Sequence, residues 1–70
     1  MNEAIARKRV RRLARTGQLT ELRESVGLSQ TDIARALGVD QSAVSRWERG
    51  TRNPPGRRAV ELLELLEDPA

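Results

Sequence analysis

Four polar side chains cluster at Gln41, Ser42, Ser45 and Arg46. On a helix they lie away from Val44 and Trp47, which turn inward. An amide, two hydroxyls and a guanidinium offer donors and acceptors together, so such a face suits reading a polar surface. The 70 residues hold no histidine and no cysteine. That removes the usual neutral-pH base, disulfides and thiolate metal sites. No metal site is expected, and with no ligand-sensing region legible in the sequence no cofactor or small-molecule ligand is expected either.

A helix over residues 41–49 must carry these groups. Gly38 and Asp40 precede it. Gly38 sits where a helix stops and the backbone needs a positive φ. Asp40 sits where a new helix takes an N-cap oxygen. Before the turn, Ile33, Ala34 and Leu37 recur at i, i+1 and i+4, the stripe of a short helix opening at Gln30. Ser29-x-x-Asp32 reads as its capping box, with Asp in place of the usual Glu. The spacing thus predicts two short helices about a tight turn.

The stretch Leu22 to Pro54, LRESVGLSQTDIARALGVDQSAVSRWERGTRNP, resembles the helix-turn-helix domain of the lambda repressor/Cro class, the Xre family. Gln30 opens the first motif helix, Ala34 is small at the helix crossing, and Gly38 lies in the turn. Val44 and Trp47 fall at core positions, and Glu48-Arg49-Gly50 is the E-x-G signature. The resemblance implies an all-α fold, a compact bundle of about five short helices. It implies a partner, double-stranded DNA, with residues 41–49 in the major groove. Gln41, Ser42, Ser45 and Arg46 would then read bases, since Gln suits adenine and Arg suits guanine. For Ser42 and Ser45 an ordinary helix-surface role stays open, and for Arg46 a phosphate contact. Gln30, Arg49, Arg52 and Asn53 would hold phosphates, with solvated loop charge as the alternative for the loop residues. Arg23 would pair with Glu48; two solvated charges are the alternative. Trp47, flanked by Arg46 and Arg49, could stack on a base, but the family and its spacing from Val44 favour the core.

The remaining elements frame this motif. Residues 3–16 read as a basic helix with Ala6, Val10, Leu13 and Ala14 as its apolar stripe. It either packs this stripe on the core and lays its arginines along a DNA backbone, or orders only when DNA is present; a basic solvated helix with no partner is the plain alternative. Thr16-Gly17 offers a break, although a continuous helix with one costly glycine is the alternative, so residues 1–17 form a basic helix before a helix-turn-helix region at 18–68, within a single compact domain. A helix over 18–26 would turn Leu19, Leu22 and Val26 inward, with Gly27 ending it. Leu28 reads as core. Gly50 to Gly56 is a loop stiffened by Pro54 and Pro55. Residues 56–67 form the last helix, whose apolar arc spans about 220°. One small core needs less, so Leu62 and Leu65 are expected on an exposed patch that joins a homodimer. The alternative is that the N-terminal helix covers them. Asp68, Pro69 and Ala70 are expected as a frayed tail.

Charge follows the same layout. Residues 1–16 carry Arg7, Lys8, Arg9, Arg11, Arg12 and Arg15 against Glu3 alone; residues 59–70 carry Glu61, Glu64, Glu67 and Asp68 and no base. A polyanion-binding end and a solvated far end would look like this. The charged start lacks a secretion signal and no apolar run spans a membrane, so a cytoplasmic setting is expected. Every acid reads as cap, ion pair or surface strip, which leaves no catalytic constellation. The expected function is a sequence-specific DNA-binding transcriptional regulator, most simply a repressor. An antitoxin, a recombination directionality factor or a protein-docking module would use the same fold.

Overall fold

Glycines and capping side chains cut the chain into helices in the computed structural model, which describes residues 1–67. Five helices stand among the described residues: α1 (Glu3–Arg15), α2 (Gln18–Ser25), α3 (Gln30–Leu37), α4 (Gln41–Arg49) and α5 (Arg58–Glu67). No strand joins them among these residues, so the fold is all-α as expected. The tail expected at 68–70 lies outside the described residues.

Each boundary has a local cause. Asn2 Oδ1 caps α1, accepting from the N–H groups of Ala4 at 2.7 Å and Ile5 at 3.3 Å. Gly17 takes φ +79° and starts α2, so the break at Thr16-Gly17 is real. Ser29 Oγ accepts from the Asp32 N–H at 2.9 Å, and Asp32 Oδ2 accepts from the Ser29 N–H at 2.8 Å. The capping box therefore works with aspartate. Asp40 is a correction. It holds the N-cap position of α4, with φ −73° and ψ 150°, but its side chain makes no capping bond. Only its carbonyl joins the helix, accepting from Ala43 and Val44.

The core draws on every helix. Ala6, Val10 and Ala14 of α1 meet Leu19, Ile33, Ala34, Leu37, Val44 and Trp47, closed by Ala59, Val60, Leu62, Leu63 and Leu66 of α5. Helix α1 packs against α2, α4 and α5, so the basic N-terminal helix belongs to this one core. The expectation for Leu62 is corrected: it is not on an exposed patch but 1% accessible, in the core that α5 shares with α1, α2 and α3. Its burial is worth roughly 1.5–3 kcal/mol within one chain. Leu65 is half-buried, beside Ala36, Leu37, Glu61 and Glu64. Val26 is a further correction. Helix α2 ends at Ser25, and Val26 follows as its C-cap with 39% of its surface exposed. No helix among the described residues is long and apolar enough to cross a membrane.

Candidate nucleic-acid interface

Helix α4 separates its faces cleanly. Val44 and Trp47 are 1% and 2% exposed. Gln41, Ser42, Arg46 and Arg49 are exposed, and Ser45 is half-buried. Burial of Trp47 removes it from any stacking role and places it in the core. Beyond α4, Gly50 caps the helix at φ +75°, and the loop that follows exposes Arg52 and half-buries Asn53. Arg46 and Arg49 occupy the last turn of α4, where cations also complement the negative end of the helix dipole. Pro54 is buried and anchors the loop to the core.

The turn between α3 and α4 is built by Gly38. It takes φ +71° and ψ 36° and returns its N–H to the Ala34 carbonyl. The Val39 N–H also donates to that carbonyl, at 2.9 Å. Ala34 is 5% exposed at this crossing, where a larger side chain has no space.

Glu48 gathers the donors behind the face. Arg23 Nε donates to Glu48 Oε2 at 2.6 Å and Thr20 Oγ1 donates to Oε1 at 3.0 Å. Gln30 Nε2 donates to the same Oε1 at 2.9 Å. Arg23 Nη1 donates on to the Leu28 carbonyl at 2.8 Å. The implied Arg23–Glu48 pair is thus present, with side chains 13% and 6% exposed. Thr20 was not legible as a partner, since nothing in its local pattern marks it.

Gln30 has a second neighbour. Its Oε1 accepts from Gln41 Nε2. The side chain expected on a phosphate therefore bridges Glu48 and Gln41. A carboxamide nitrogen carries two hydrogens. One N–H of Gln30 stays free for an anion, and Gln41 keeps its Oε1 and one N–H, the pair that adenine requires.

Other cations divide by position. Arg58 Nη1 donates to Glu61 Oε1 at 2.9 Å, which engages one of the two arginines that follow the loop. Arg9 Nε donates to Glu67 at 2.9 and 3.1 Å and ties α1 to the end of α5. These residues lie 58 apart in sequence, beyond the reach of any periodicity. Among the described residues Arg46, Arg49 and Arg52 form no ion pair.

The chain matches the helix-turn-helix family model over residues 19–67. It is similar to a protein of Pyrococcus furiosus, provisionally named an HTH-type transcriptional regulatory protein, with 38% identity over 52 residues. That match covers 74% of this chain and 16% of the relative, so the chain spans about a sixth of that protein's length. No solved structure matches. A family match across most of the chain, with the motif's turn, core and buried ion pair all in place, means that the chain belongs to the helix-turn-helix family of the lambda repressor/Cro type.

Proposed function

We propose that this chain is a sequence-specific double-stranded DNA-binding transcriptional regulator that represses by occupying a promoter. The supporting observation is the outward face of α4, polar throughout, with Gln41, Ser42 and Arg46 exposed and Ser45 half-buried, while Val44 and Trp47 anchor it. The major groove admits one helix and shows a distinct donor and acceptor pattern for each base pair. Gln41, Ser42, Ser45 and Arg46 read base edges there. Gln30, Arg49, Arg52 and Asn53 hold the flanking phosphates and set the register. The relative's name points the same way.

Magnitudes favour two copies on the DNA. A good bidentate pair discriminates by roughly 1–3 kcal/mol, and one copy offers two side chains of that kind, Gln41 and Arg46. Specific binding exceeds non-specific binding by about 4–10 kcal/mol. A symmetric pair on two half-sites about one helical turn apart supplies the difference.

Binding selection from long random duplexes at near-physiological salt tests this. An enriched inverted repeat is the expected result. A single enriched half-site keeps sequence reading and removes the pair. Binding that is salt-sensitive but enriches no sequence overturns the proposal.

A further inference from the structure

The basic side chains of α1 do not all serve the fold. Arg9, on the flank, is held by Glu67. Lys8, Arg11, Arg12 and Arg15 are exposed, border one shallow concavity together, and form no ion pair among the described residues. On the helical wheel they fall within about 100° of arc, opposite Ala6, Val10 and Ala14. They are also mutual neighbours at i, i+3 and i+4, where like charges repel and weaken the helix. The fold therefore keeps an unneutralised cationic face at a cost to its own helix.

The C-terminal end of the helix that bears this face adjoins the candidate interface. Ala14 Cβ lies 3.9 Å from the position that a β-carbon would take on Gly50. Gly50 closes α4 and opens the loop that bears Arg52 and Asn53. The last turn of α1, which bears Arg12 and Arg15, thus abuts the C-terminal end of the reading helix. Lys8 and Arg15 lie about 10 Å apart along the axis, close to the axial rise of three phosphates on one strand. Residues 1–18 lie outside the family match, so this surface is an addition of the chain to its family's motif.

We infer that the outer face of α1 is a second DNA-backbone contact. It grips phosphates of the same duplex beyond the groove that α4 occupies, through Lys8, Arg11, Arg12 and Arg15. This rests on the proposed DNA-binding function and extends its footprint. The contact carries affinity and no base information.

The test is the quadruple variant Lys8→Gln, Arg11→Gln, Arg12→Gln, Arg15→Gln, with circular dichroism confirming the helical fold. All four side chains are exposed, so the fold persists. The selected consensus should stay the same. Affinity for a long duplex should fall about tenfold or more near 0.1 M salt, and the slope of log K against log salt should drop by about two or more. Trimming the duplex to the selected site should weaken the wild type and leave the variant unchanged. A smaller change in slope, or equal trimming losses in both proteins, overturns the inference. A changed consensus also overturns it, because α1 would then read bases. If the wild type enriches no sequence while the variant still loses affinity and salt slope on a long duplex, the sequence-specific function fails and the α1 contact stands.

Discussion

Arg23 and Glu48 meet 25 residues apart in sequence, Nε to Oε2 at 2.6 Å, and both are mostly shielded from water. The contact ties α2 to the back of α4. It fixes the helix that carries Gln41 and Arg46 against the rest of the bundle. Thr20 and Gln30 converge on the same carboxylate, so three side-chain donors share Glu48.

Removing Glu48 should therefore damage stability more than any surface change. Glu48→Ala leaves Arg23 shielded and unpaired, a loss of about 3–5 kcal/mol. A paired Arg23→Met, Glu48→Leu variant removes both charges together and should lose less than Glu48→Ala alone. Urea unfolding of the three proteins reads the difference. Equal stability of wild type and Glu48→Ala would show that the pair contributes nothing to the fold.

The α3 capping box gives stability a pH dependence. Hydrogen bonds from Ser29, its backbone N–H above all, hold the Asp32 carboxyl below its ordinary value of 3.8. A carboxyl with a lowered folded pKa binds fewer protons in the folded state than in the unfolded one. Its contribution is complete above the unfolded value of about 3.9 and fades as pH falls through the folded value. Asp32→Asn should thus be less stable than wild type near neutral pH, and the gap should close in acid. A gap that is constant from pH 6 to pH 2 would refute the charge-assisted bond. Separately, Ser29→Ala should cost about 1 kcal/mol at neutral pH.

The turn between α3 and α4 offers a backbone test. Gly38 has φ +71°, and no atom lies within 4 Å of where its β-carbon would sit. The cost of Gly38→Ala is then purely conformational, about 1–2 kcal/mol. Gly38→Asn should cost less, because asparagine visits this region more readily. Thermal melts of the two variants give the order. An alanine variant as stable as wild type would mean that the turn relaxes to another geometry.

Local signals were the legible part of this chain. The glycines at 17 and 38, the Ser29–Asp32 box and the stripe of α3 act within a few residues, and they placed the helices to within about two residues. What failed required knowledge of neighbours. Leu62 looked surplus on the wheel of α5 because the wheel cannot show that three helices, α1, α2 and α3, pack against α5. Val26 looked inward on the assumption that α2 runs one residue further than it does. At the candidate interface, Gln41, Ser42 and Arg46 were readable as an outward face from periodicity alone. The bridge from Glu48 through Gln30 to Gln41 was not, since Gln30 at the start of α3 reaches both residues of α4 only after the two helices pack. The Arg9–Glu67 tie was hidden for the same reason.

Arg46 and Arg52 should separate reading from holding. Both are exposed and neither has an acidic partner among the described residues. Arg46 lies on the face of α4 that Gln41 and Ser42 share, whereas Arg52 lies in the loop after Gly50. A base contact discriminates by roughly 1–3 kcal/mol at its own position. A phosphate contact weakens every sequence about equally and changes the salt slope by about one. Arg46→Ala should thus relax preference at particular base positions of the selected site. Arg52→Ala should keep the preference and reduce the slope. Both follow from titrations of each variant against the selected duplex and its single-base changes, at several salt concentrations. If Arg46→Ala instead weakens all duplexes uniformly, Arg46 holds phosphate, and reading falls to Gln41 and its serine neighbours.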